Sequence, residues 1–202
     1  MAQEGLLLMI WGFFKKLVIA DNIAPFVNAA YAAPADFPGP SLAFATVLFA
    51  YQIYCDFSGY TDIARGSAKI LGYDLMKNFT RPYAAISVAD FWRRWHISLS
   101  SWFRDYVYIP LGGNVRSSSR TYANLMLTFL LSGLWHGANW TFVIWGGLNG
   151  LYLVLERVLG STRDKLPRVL QHIFVFALIC LTWVFFRAQS LSDALLIVSH
   201  IP

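Results

Sequence analysis

The chain has 202 residues, of which 57% are hydrophobic, 17% aromatic and only 13% charged. Its mean hydropathy is +0.50, whereas soluble domains carry about 25% charged residues. That balance excludes disorder, collagen and a coiled coil, and it predicts an all-α fold: a polytopic integral membrane helical bundle with interfacial and re-entrant helices, forming a single membrane domain over 1–202. The net charge of +5 comes without a dense Lys/Arg tract or a nucleic-acid fold signature, so no nucleic-acid partner is expected, and the basic excess points to cytoplasmic loops.

At the N-terminus Gly5 to Phe14 is apolar, but Glu4 precedes it and Lys15-Lys16 follows, which inverts the charge order of a secretory signal. A charge-free stretch from Phe37 to Cys55 opens on the helix-blocking Pro38-Gly39-Pro40 and can span most of a bilayer if Asp56 lies near its end. Asp56-Phe57-Ser58-Gly59-Tyr60-Thr61-Asp62 follows. Its two carboxylates are six residues apart and do not share a helix face well, so they are expected to hold helix ends or to partner Arg65 and Lys69. Cys55 and Cys180 sit inside apolar runs with no metal-ligand spacing, and no metal site is expected.

The segment 77–120 holds seven basic residues against Asp90 and Asp105 and reads as basic, aromatic-rich and interfacial or cytoplasmic. Within it, Phe91 to Tyr108 places Phe91, Trp92, Trp95, Leu99, Trp102, Phe103 and Tyr106 on one stripe if helical, with Asp90 as N-cap and Pro110 marking the end. His96 follows Trp92 by one turn and borders that stripe. Pro110-Leu111-Gly112-Gly113-Asn114 is a turn signature with no phosphate-loop GK[ST] after it.

Tyr122 to Leu155 is uncharged for 34 residues, roughly 50 Å as one helix and too long for a single crossing of a hydrocarbon core about 30 Å thick. A break is therefore expected, at Gly133, Gly137 and Asn139 or at Gly146-Gly147, making 122–155 a broken membrane hairpin. His136 is the only group in it that titrates near neutral pH. An ionisable residue at such depth is a functional candidate by default, and the small residues of Trp135-His136-Gly137-Ala138-Asn139-Trp140 would let a substrate approach the ring. Val169 to Phe186, fenced by Arg168 and Arg187, is the cleanest spanning helix, and the polar link 161–168 is the other basic loop.

Taken together, Tyr54-Cys-Asp-Phe-Ser-Gly-Tyr-Thr-Asp62, Asn78-Phe79 with Arg81-Pro82-Tyr83, Phe91-Trp-Arg-Arg-Trp-His-Ile-Ser-Leu-Ser-Ser-Trp-Phe-Arg-Asp-Tyr106, Tyr108-Ile-Pro-Leu-Gly-Gly-Asn114 and Gly133-Leu-Trp-His-Gly-Ala138 resemble the membrane-bound O-acyltransferases, in particular their bacterial alginate O-acetyltransferase-like branch. The resemblance implies a multi-pass enzyme of the bacterial inner membrane in which His136 is the essential catalytic residue and His96 the second family histidine. It implies acetyl transfer to a hydroxyl of an exported polysaccharide, with no bound cofactor and an acetyl donor that is acetyl-CoA or a relayed acetyl group. Beyond the bilayer and the polysaccharide acceptor, a periplasmic acetyltransferase is the implied partner. Trp135, Asn139, Arg94, Asp105 and Asn114, in or beside these motifs, are the candidate substrate-binding residues. Family members carry further membrane helices before the equivalent of Gly5, so the chain is expected to be the carboxyl-side part of a longer enzyme. D-alanyl or other acyl transfer to an envelope polymer is the nearest alternative, and a non-enzymatic transporter or channel subunit is the alternative from another class.

Overall fold

The computed structural model describes residues 2–115, 117–160 and 166–201; Arg116 and most of the basic link, 161–165, lie outside the described residues. Among the described residues every regular element is helical. The chain divides into two compact units, 1–78 with 195–202, and 79–194.

In the first unit, α1 (Ala2–Phe13) passes through a π-helical segment, Phe14–Ala20, directly into α2 (Asp21–Ala32), with αR backbone at both joints. Pro38-Gly39-Pro40 then starts α3 (Gly39–Ile70), because proline fits the first turn, where no N–H partner is needed. At 32 residues this helix is about 48 Å long. It stops in a Schellman turn: Gly72, at φ +89°, donates to the Lys69 carbonyl, and Tyr73 to that of Ala68.

α1 and α3 run antiparallel in backbone contact. A Cβ on Gly12 would lie 2.6 Å from the Gly59 carbonyl oxygen, and one on Gly5 2.7 Å from that of Gly66. The same seam carries charge. Lys15 Nζ donates to Ser58 Oγ at 3.0 Å and Asp62 Oδ2 at 2.6 Å, Lys16 pairs with Asp56, and Lys69 with Glu4 at 3.0 Å. Asp56 and Asp62 therefore hold no helix end. Both lie inside α3, and the lysines of the neighbouring helical segment make a mid-helix carboxylate affordable. Only the expected Asp62–Arg65 pair forms, at 3.3 Å, as a supplement.

The second unit begins with a short 3₁₀ turn, Pro82–Ala84, and α4 (Val88–Arg94). Ser87 caps α4 by accepting the Asp90 N–H at 2.9 Å, so Asp90 is not the cap; its carboxylate takes Arg94 Nε instead, at 2.9 Å. The aromatic stripe is not one helix. The backbone turns left-handed at His96 (φ 42°), which ends α4 and starts α5 (Ile97–Phe103), and a π-helical segment, Arg104–Tyr108, precedes the turn at Pro110. The kink buries Phe91 and Trp95 while Trp102 and Tyr106 stay exposed.

The uncharged stretch is divided between α6 (Ser118–His136) and α7 (Trp140–Leu159). The interruption falls at Gly137 to Asn139, and Gly133, Gly146 and Gly147 are all helical. Gly133 and Gly146 serve close approach rather than a break: a Cβ on either would lie 2.3 Å from a carbonyl oxygen of the facing helix, that of Phe142 or of Phe129. α8 (Arg168–Arg187) packs on α7, and α9 (Leu191–His200) follows, its residues from 195 on belonging to the first unit. Among the described residues, α7 and α8 are the two helices long and apolar enough to cross a membrane.

Candidate active site

The site grows from the end of α6. His136 is its last residue, and Nδ1 lies 2.7 Å from the carbonyl oxygen of Ser132, one turn back. A carbonyl only accepts, so Nδ1 carries the hydrogen and the lone pair of the neutral ring is on Nε2. Gly137 and Ala138 then lead the chain away to Asn139, whose Oδ1 accepts the Thr141 N–H at 3.2 Å and caps α7.

Aromatic rings surround the half-buried imidazole. Trp145 of α7 is 4.8 Å away centroid to centroid, Trp135 4.9 Å, Phe186 of α8 5.5 Å and Phe142 6.4 Å. Behind them Trp145 stacks on Trp183 at 6.3 Å, and Trp183 meets Trp95 at 5.1 Å and donates Nε1 to Tyr83 Oη at 3.2 Å. Trp92 closes edge-on against Trp145 at 5.7 Å and against Phe129 at 5.2 Å.

α4, which brings Trp92 and Trp95 to this cluster, is fixed from α7. Glu156 Oε2 accepts the N–H groups of Val88 and Ala89, at 2.7 and 3.3 Å, so a carboxylate sits at the positive end of that helix. From α8, His172 Nδ1 donates to the Ala85 carbonyl at 3.1 Å.

His96 stands at the α4–α5 kink, half buried. Burial, joined by the neighbouring His136 imidazole, pushes its pKa down to about 4, because a desolvated ring resists charging. The two histidines are thus close enough to feel each other, although 40 residues separate them in the chain. Of the other candidates, Trp135 lies edge-on to His136 with 59% of its surface exposed, and Asn139 is occupied as a helix cap. Arg94 ends α4 in its ion pair with Asp90. Asp105 and Asn114 are exposed and take no part in the ring cluster. Asp105 instead pairs with Arg104 at 2.7 Å, and that guanidinium holds its carboxyl below the usual carboxylate range.

Sequence reasoning missed Ser132, Trp145 and Glu156, and placed Trp92 only on the aromatic stripe. Ser132 was accessible in principle, since a residue four before a helical histidine offers its carbonyl to the ring. Trp145 stood in the same uncharged stretch as His136, but nine residues along a sequence do not reveal a contact made across a hairpin.

The family model of the membrane-bound O-acyltransferase family matches residues 5–193. The chain is 47% identical over 192 residues to the probable alginate O-acetylase AlgI of Azotobacter vinelandii, covering 95% of this chain and 38% of that protein. It is 43% identical over 195 residues to the peptidoglycan O-acetyltransferase of Helicobacter pylori, covering 95% and 37%. With the teichoic acid D-alanyltransferase of Streptococcus thermophilus it shares 28% identity over 168 residues, 77% of this chain and 40% of that protein. The chain therefore spans about two fifths of the length of these relatives.

Proposed function

The chain belongs to the membrane-bound O-acyltransferase family, and from that premise we propose that it provides the catalytic histidine of a multi-pass enzyme in a bacterial inner membrane, one that transfers an acetyl group to a hydroxyl of an exported polysaccharide. The observation that carries this reading is the His136 imidazole at the α6–α7 interruption, with Nδ1 committed to the Ser132 carbonyl and Nε2 left as a base.

In the proposed reaction, Nε2 takes the proton of the sugar hydroxyl as its oxygen attacks the acyl carbon. The carbonyl electrons move onto oxygen, and collapse of that intermediate expels the donor's leaving group, which receives the proton back from His136. The donor is acetyl-CoA or an acetyl group relayed from it, drawn from the cytoplasmic side by the basic segment 77–120. The polysaccharide is reached from the opposite side, together with a periplasmic acetyltransferase. Irregular backbone at Gly137 to Asn139 suits such a passage, since it is tolerated at membrane depth only beside protein or a cavity. His96, neutral at pH 7, orients the acceptor or passes the proton on.

The acetyl group is preferred over D-alanine because the relatives at 43–47% identity carry O-acetylation names, while the D-alanyltransferase matches at 28%. The decisive measurement is ester-linked acetyl on the exported polysaccharide in cells whose complete enzyme carries His136→Ala. Acetylation should fall by at least about 1,000-fold, the scale of losing a general base and its positioning, while the membrane level of the protein stays normal. Acetylation retained at normal levels would remove His136 as the base. Supplying D-alanyl in place of acetyl donors to the same membranes separates the two acyl groups.

A further inference from the structure

Polar atoms enclosed in a protein are almost always hydrogen-bonded, and a buried tryptophan usually finds a partner for its N–H. In the ring cluster that includes His136 this rule fails three times; the fourth unpartnered atom among the described residues, Gln52 Oε1, lies in α3. Trp145 Nε1, Trp92 Nε1 and Asn149 Oδ1 are buried without a hydrogen-bond partner. Trp145 is 1% exposed and Asn149 0%. The three are neighbours: Trp92 and Trp145 meet edge-on at 5.7 Å, and Asn149, one turn on from Trp145 in α7, donates Nδ2 to the Trp145 carbonyl at 2.8 Å. Trp145 in turn lies 4.8 Å from the imidazole. Trp183 shows how an indole in the same cluster is normally satisfied, by Tyr83 Oη.

We propose that the indole N–H groups of Trp145 and Trp92 hydrogen-bond the acyl carbonyl oxygen of the thioester donor and hold its negative charge as the tetrahedral intermediate forms. The proposal rests on His136 being the base. As Nε2 removes the hydroxyl proton, the acceptor oxygen bonds to the acyl carbon and the C=O π pair moves onto the carbonyl oxygen, where the two donors meet it. When the pair returns, the C–S bond breaks and the thiolate takes the proton from His136, leaving ester and free thiol. A low-dielectric, ring-lined setting makes fixed donors effective, because water does not compete for the oxyanion and no reorganisation is needed as the charge develops. Both indoles are locked by ring packing on two sides, as a preorganised donor requires.

The test uses membranes containing the complete enzyme, acetyl-CoA labelled in the acetyl group, and recovery of base-labile acetyl on the exported polysaccharide. Trp145→Phe keeps a ring and removes the N–H. Replacement of Trp145 by benzothienylalanine keeps the bicyclic shape and puts sulfur where the N–H was, so it separates packing from hydrogen bonding. Both should lower kcat by about 100-fold with KM for acetyl-CoA unchanged, the loss typical of one oxyanion donor, and Trp92→Phe should lower it by about 10-fold. A benzothienylalanine enzyme with wild-type kcat overturns the proposal and leaves these atoms as ligands of a structural water. His136→Ala run alongside keeps the two readings apart: an inactive alanine variant beside a fully active sulfur variant sinks only the donor role, while an active alanine variant removes the base and this inference with it.

Discussion

Two helix pairs in this protein are built on the same device and finish differently. The antiparallel α1–α3 and α6–α7 pairs both set glycine against the facing backbone, with virtual Cβ to carbonyl distances of 2.6 and 2.3 Å at Gly12 and Gly146. Along α1–α3 and the adjoining π-helical segment, the lysines meet carboxylates or hydroxyls, as in Lys15 with Ser58 and Asp62. Along α6–α7 stand a half-buried imidazole bonded through one nitrogen and enclosed, orphaned groups on Trp145 and Asn149. Close helix approach therefore does not distinguish a seam from a site. The pairing of the charged groups does, because paired charges rigidify a seam whereas a cluster with orphaned donors needs something else to complete it; in α3 the exception is Gln52 Oε1, enclosed without a partner.

The contrast can be broken most severely at the glycines. Gly146→Leu drives a side chain into the Phe129 carbonyl, and overpacking of this kind costs about 3 kcal/mol or more; the complete enzyme should vanish from the membrane on immunoblot. A normal level would mean that the pair can move apart. Next in size is Lys15→Met, which leaves the half-satisfied Asp62 to Arg65 alone. Removing one partner of a buried pair costs about 3 kcal/mol, to be read as a lowered unfolding midpoint in detergent, with the specific activity of the surviving protein unchanged. Activity falling further than the folded fraction would make the first seam part of the site.

The smallest effect sharpens the role of His96. Asparagine tolerates the left-handed backbone at this position, so His96→Asn should fold at pH 7. In the wild type the unfolded ring takes up a proton near its ordinary pKa of 6.5, while the folded one resists down to about 4. The unfolded state then binds more protons across that window. Wild-type stability is complete above about pH 6.5 and declines as pH falls towards 4, and the variant lacks this portion of the decline. The wild-type thermal midpoint minus that of the variant should fall as the solution is acidified from pH 7 to 4; a constant difference would show that His96 is not held neutral by its surroundings.

Much of the site was legible from residues alone. An uncharged run too long for one crossing required an interruption, and the single imidazole within it named the catalytic candidate. The glycines misled, since a glycine that interrupts a helix and a glycine that admits a neighbouring backbone look alike in sequence: Gly137 belongs to the interruption, whereas Gly133 and Gly146 are helical. The stripe from Phe91 to Tyr106 misled in a similar way. Its spacing was helical, but burying Trp95 against Trp183 and Trp92 against Trp145 bends the chain at His96.

Sequence by itself determined the helical class, the apolar character and the isolation of His136, because these follow from composition and local periodicity. Tertiary structure alone decided that Asp56 and Asp62 answer to Lys16 and Lys15, that Trp92 of α4 meets Trp145 of α7, and that Glu156 of α7 holds the start of α4. Each of those is a pairing between residues distant along the chain, and pairings are set by how helices pack, which no local pattern encodes.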